Sequence, residues 1–138
     1  MKYYAVIDTN VIVSAMLKWT SVPGSILEFA FSGTIIPVLN KEIVDEYREV
    51  LSRDKFHLRK EIVDDVIYAL EEQGEYIDSD NFDYDLPDPK DVVFYSIVMK
   101  KREEDEAYLV TGNIKHFPKE PYIVTPREML DIIFDDMN

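Results

Sequence analysis

Tyr3-Tyr4-Ala5-Val6-Ile7-Asp8-Thr9-Asn10 is the stretch on which the fold turns. It is a short uncharged run, rich in β-formers, that stops at an acid, and it reads as a buried strand with Asp8 at its end. A side chain at that point emerges at the carboxyl edge of a sheet. Thr9 and Asn10 follow, and both can hydrogen-bond a ligand or cap a helix. A strand-end aspartate is also an ordinary turn residue, so Asp8 needs company before it means more.

Working outward, Asn10 is placed to cap an apolar helix over Val11–Leu17. Pro23 suits the first turn of a second helix reaching about Phe31, with Gly33 as its stop. Ile35–Leu39 reads as a second strand, and Asn40 caps a helix running to about Arg53. Arg59–Gln73 is a further helix stopped by Gly74, with Glu75–Ile77 a short strand and Asp78–Asp88 an acidic loop. Asp91–Lys101 is a helix, Tyr108–Thr111 and Ile123–Val124 are strands, and Pro126–Phe134 is a closing helix. Strands alternating with helices predict an α/β fold, a mainly parallel sheet with helices on both faces. In such folds ligands bind beyond the carboxyl ends of the strands, near the switch in strand order. No repeat, low-complexity tract or linker interrupts the 138 residues, and one domain over 1–138 is expected.

Composition narrows the chemistry. Without a cysteine there is no disulfide scaffold, thiolate zinc site or thiol nucleophile, and a reducing compartment fits. Apolar runs such as Val92–Met99 are too short to span a bilayer, so a cytoplasmic protein with no membrane partner is expected. Asp and Glu number 28 against 15 Lys and Arg, a net of −13. Nucleic-acid binders usually carry a basic stripe; an acidic chain is a metal-dependent enzyme, a ligand for a basic partner, or simply well solvated. With only four glycines, a phosphate-cradling loop has little support.

The acids sort by position. With Ile43 at 0° and about 100° per residue, Tyr47, Leu51, Val44 and Val50 form one apolar arc. Glu46 falls at about 300°, nearer that arc than Glu42, Asp45 or Glu49. It is either a site acid at the border of the core or a rim glutamate. Asp88-Pro89-Lys90-Asp91 precedes a helix apolar nearly all round, so its acids lie near the interior. Their spacing is also that of a helix cap. Thr111-Gly112-Asn113 ends a strand; Asn113 is an oxygen donor or a turn residue, and His116 a loop histidine. Two carboxylates about 5 Å apart repel by roughly 3 kcal/mol at an effective dielectric near 20. If three converge, a divalent cation or raised pKa values must compensate, and oxygen-only donors suit Mg²⁺ or Mn²⁺.

In this order, Asp8-Thr9-Asn10, Glu46 in Lys41-Glu42-Ile43-Val44-Asp45-Glu46-Tyr47, Asp91 in Asp88-Pro89-Lys90-Asp91, and Thr111-Gly112-Asn113 resemble the PIN-domain family over essentially the whole chain. Each motif is weak alone; the ordered set is specific. The branch it resembles is that of the toxins of bacterial and archaeal toxin–antitoxin pairs. The resemblance implies a three-layer α/β/α domain that hydrolyses RNA phosphodiester bonds with Mg²⁺ or Mn²⁺. Asp8, Glu46 and Asp91 would be catalytic and, with Asn113, hold metal, while Thr9, Asn10, Asp88, Lys115 and His116 support or bind substrate. Lys41 and Arg48 are further candidates for gripping RNA. An antitoxin partner and a homodimer are also implied. Many members carry a fourth carboxylate at the Asn113 position or about three residues later, where this chain has His116. That departure keeps a second reading open, a non-catalytic PIN-like binding module regulated by a protein partner.

Two other chemistries fit less well. A phosphatase of the Asp-x-Asp kind would need an acid where Asn10 stands. Serine hydrolysis lacks the Gly-x-Ser-x-Gly elbow.

Overall fold

The computed structural model describes residues 1–78 and 84–137, so the middle of the acidic loop predicted over Asp78–Asp88 lies outside the described residues. Among the described residues five strands form one sheet: β1 Tyr3–Ile7, β2 Ile35–Leu39, β3 Glu75–Tyr76, β4 Ala107–Val110 and β5 Ile123–Val124. Their order is β3-β2-β1-β4-β5, and every pairing is parallel. Six α-helices accompany them: α1 Thr9–Leu17, α2 Val22–Ser32, α3 Lys41–Leu51, α4 Lys60–Gln73, α5 Val92–Lys101 and α6 Pro126–Met137. The architecture is the three-layer α/β/α arrangement, with an all-parallel rather than mainly parallel sheet.

The all-parallel sheet explains the composition of its strands. β1 is uncharged because helices cover both faces, and Ala5, Val6 and Ile7 are at most 1 % exposed. β2 contains Pro37, which suits no central ladder. Pairing with β3 starts only at Val38, so Pro37 precedes that ladder. α5 lies across β1, β2 and β4, while α2 and α4 pack on β2.

The helix ends follow local chemistry. Asn40 Oδ1 accepts the Ile43 N–H at 2.8 Å and starts α3. Gly33 closes α2 at φ 89°, a left-handed position that costs glycine little. Gly24 lets the turn before α2 close tightly, since a Cβ there would stand 1.8 Å from the Trp19 carbonyl oxygen.

One cap differs from expectation. α1 begins at Thr9 with Asp8 at the cap position, two residues before Val11, and Asn10 lies inside the helix. The Asn10 amide is engaged elsewhere: its Oδ1 accepts the Gly112 N–H at 3.1 Å. α5 likewise starts at Val92, after a 3₁₀ turn over Pro89–Asp91. Among the described residues no helix is long and apolar enough to cross a membrane.

Candidate active site

The strand order reverses at β1. The chain fills the β2 and β3 side first, then returns to lay β4 and β5 on the other. The carboxyl ends of β1 and β4 therefore mark the switch point, where parallel sheets open a crevice. Asp8 follows β1 there, 6 % exposed, with its N–H bonded to the Val110 carbonyl at 2.9 Å. Thr111 follows β4 and donates its hydroxyl to Asp8 Oδ2 at 2.7 Å. Asn10 Nδ2 reaches the same oxygen at 3.3 Å, so Asn10 bridges Asp8 to the Thr111-Gly112-Asn113 turn.

α3 brings the second acid. The buried Tyr47 hydroxyl donates to the Ile7 carbonyl, pinning the helix to the last residue of β1. Burial, with the charges of Asp8 and Glu46 behind it, pushes the Tyr47 phenol well above its usual pKa, so it stays a donor. One residue earlier, half-buried Glu46 takes the Thr9 hydroxyl on its Oε2. The other acids of α3, Glu42, Asp45 and Glu49, are exposed, as the helical arc predicts. Asp91 arrives from the turn before α5, its side chain 13 % exposed, with Oδ2 3.2 Å from His116 Nδ1. Asp88 caps that turn by accepting the Lys90 N–H at 2.9 Å.

The three acids feel one another. Burial raises the pKa of each first; Asp91 then raises Asp8, Asp8 raises Glu46, and Asp88 and Glu46 raise Asp91. Hydrogen bonds from Thr111, Thr9 and His116 respectively pull each back down. Thr9, Asn10, Glu46, Asp88, Lys90 and Asp91 line one part of a cleft of about 400 Å³. Val13, Ser14, Glu49, Val50, Arg53 and Phe56 line the rest.

A family model described as PIN domain matches residues 4–115. The chain belongs to the PIN-domain family. No curated protein and no solved structure matched it. PIN domains are typically nucleases that use divalent metal.

In this PIN domain the sequence candidates do not all meet. Thr9, Asn10, Glu46, Asp88 and Asp91 line the cleft, Asp8 is buried next to it against Asn10, and His116 contacts Asp91. Asn113 is exposed; its backbone N–H donates to Thr111 Oγ1, and the residue lines a neighbouring pocket with Asn10 and Pro126. Lys115 lines an apolar pocket with Phe117 and Pro118. Lys41 and Arg48 pair with Asp45 and Asp64 on the surface.

The donor set suits a hard cation, since Asp8, Glu46 and Asp91 offer only oxygen. Each carboxylate is held by a neighbouring protein donor, and among the described residues no three His, Cys, Asp or Glu close on one point as a metal cage. Three residues escaped the sequence reading. Thr111 was legible within its motif and Lys90 within Asp88-Pro89-Lys90-Asp91, while Arg53, two residues past the end of α3, had only its charge to mark it.

Proposed function

We propose that this PIN domain is a Mg²⁺- or Mn²⁺-dependent endoribonuclease and the toxin of a toxin–antitoxin pair. The observation that supports it best is mutual: acids from β1, α3 and the α5 entrance raise one another's pKa at the sheet's switch point. Gathering one buried and two half-buried like charges costs stability unless a cation offsets it, a cost for which a purely structural role of the trio gives no return.

On this reading Asp8, Glu46 and Asp91 hold the ion, with Asn113 joining only by turning from its neighbouring pocket. When bound, such an ion offsets phosphate charge and makes a water more acidic. The chain's own residues do the placing. Thr111 and Asn10 fix the Asp8 carboxylate, Thr9 fixes Glu46, and His116 fixes Asp91. Lys90, whose charge reaches Glu46, supplies a cation for the substrate phosphate. Asp88 keeps the Lys90 backbone in place. The antitoxin and a homodimer rest on the family resemblance alone, and a cytoplasmic setting on the cysteine-free composition and the shortness of the apolar runs.

The test is cleavage of mixed RNA in Mn²⁺ and in Mg²⁺, with Asp8→Asn purified alongside. Metal-dependent cleavage lost in the variant supports the proposal. No cleavage, with no metal-induced rise in Tm, would favour a binding module without chemistry. That second reading draws on the lack of a carboxylate at Asn113 and at His116, and on acids that, among the described residues, do not close into a metal cage.

A further inference from the structure

The cleft is longer than the acids need. From Glu46 the lining continues along α3 through Glu49 and Val50, and then to Arg53, two residues past the end of that helix. Across from it α1 contributes Val13, and Phe56 comes from the 3₁₀ turn over Asp54–Phe56. This half therefore sets three apolar side chains, Val13, Val50 and the Phe56 ring, among Ser14, the Glu49 carboxylate and the Arg53 guanidinium, continuous with the acidic half.

The turn that presents Phe56 is unusual in its backbone. The next residue, His57, has φ 54°, the positive φ of a non-glycine found at no other described residue. Such outliers persist where surrounding structure enforces them, often at binding sites. Phe56 is half-buried in a slot rather than enclosed in the core. Lys55 Nζ lies 5.1 Å from its ring centroid, adding a cation beside the slot. Arg53 is forked onto Glu49, with contacts of 2.9 and 3.3 Å, and remains exposed.

We infer that Val13, Val50 and Phe56 form a subsite for one unstacked nucleobase beside the cleavage point, with Arg53 gripping an adjacent phosphate. It rests on the reading of the cleft as an RNA site. An aromatic face takes any base by stacking, and an arginine fork fits a phosphate. Such a subsite lets a chain of net charge −13 hold RNA with few phosphate contacts, because stacking replaces part of the electrostatic attraction.

The probe is a set of short single-stranded RNAs, each with 2-aminopurine at a different position, bound in Ca²⁺ and cleaved in Mn²⁺. One position should be quenched on binding. Phe56→Leu, which keeps apolar bulk, should lose that quench and bind about tenfold more weakly, whereas Phe56→Tyr should keep both. Arg53→Gln, at an exposed position, should lower the slope of log affinity against log salt by about 0.7, one phosphate contact. Quenching at one position without cleavage supports the subsite and overturns the nuclease reading. Cleavage with no position quenched, or a Phe56→Leu protein that binds and quenches like the parent, overturns the subsite alone. An unchanged salt slope in Arg53→Gln overturns the phosphate grip.

Discussion

The Thr111 hydroxyl donates to Asp8 Oδ2 across 2.7 Å, so the ends of β4 and β1 are joined by side chains just beyond their last backbone pair, Ile7 and Val110. The same Thr111 oxygen accepts the Asn113 N–H at 3.0 Å. Thr111→Val keeps the volume and removes both contacts. A buried Asp8 oxygen loses its shorter partner, at a cost of about 1–3 kcal/mol. Because that bond lowers the Asp8 pKa, the variant's Asp8 should titrate higher still. Urea unfolding and an NMR titration of Asp8 check both effects, and Thr111→Ser should restore most of each.

Asp8→Asn should act oppositely on stability. Burial, then the charge of Asp91, raises the Asp8 pKa above its ordinary value. Between the unfolded value of about 3.9 and the raised folded one, the native state holds more protons than the unfolded chain. Stability is therefore lost as pH rises through that interval, and the loss is complete above it. Metal-free Asp8→Asn should be more stable than the parent at pH 7, on the order of 1 kcal/mol or about 3 °C in Tm. The advantage should vanish towards pH 4. Thermal unfolding of both proteins across that range decides it; a variant less stable at pH 7 would mean that the Asp8 hydrogen bonds outweigh its charge.

These two residues show where sequence reasoning reached and where it stopped. Asp8 and Glu46 were legible because each sits where a periodicity meets a charge, at a strand's end and at the edge of an apolar helical arc. The partners that fix them were not. Asn10 reads locally as a helix cap, yet its amide serves Gly112, 102 positions along the chain, and no local pattern encodes that. Tyr47 was legible as core, but not its bond to the Ile7 carbonyl. Phe56 lies in a short 3₁₀ turn with too few residues to show a period. Lys41, Arg48 and Lys115 were plausible phosphate ligands by charge alone; the structure turns the first two to acidic neighbours and sets the third beside Phe117.

Lys101 is a further case. It closed an apolar helix in the sequence, and in the fold its side chain is 3 % exposed. Burial disfavours its charge, but Glu75 at 2.8 Å and Asp105 at 3.0 Å outweigh that and raise its pKa. The Tyr4 ring centroid lies 4.1 Å from its ammonium. Lys101→Met should cost about 2 kcal/mol, less than a fully buried pair, because both carboxylates are partly exposed and rehydrate. Tm should fall while metal-dependent cleavage per folded molecule stays unchanged.

Glu49 competes with phosphate for Arg53. The pair is exposed and spaced four residues apart across the end of α3, so its own contribution to stability is about 0.5 kcal/mol or less. Glu49→Gln frees the guanidinium and removes a negative charge from the cleft. RNA binding should tighten by about threefold at low salt, with the gain shrinking as salt rises. Weaker binding would show that Glu49 orients Arg53 rather than restrains it.

The position of a fourth acid separates two otherwise equal sites. By the family resemblance a fourth carboxylate is expected at Asn113 or at His116; of the two, His116 touches the trio, at 3.2 Å from Asp91. Asn113 lines the neighbouring pocket with Asn10 and Pro126. His116→Asp removes a ring that lowers the Asp91 pKa and puts a like charge in its place, so the metal-free protein should lose stability. The same change adds an oxygen donor, and Mn²⁺ stabilises the folded state by its affinity and concentration. The Mn²⁺-induced rise in Tm should therefore be larger in His116→Asp than in the parent, and larger than in Asn113→Asp. The reverse order would place the ion nearer β4 and the Gly112 turn, and would make Asn113 the ligand whose lost charge limits this domain.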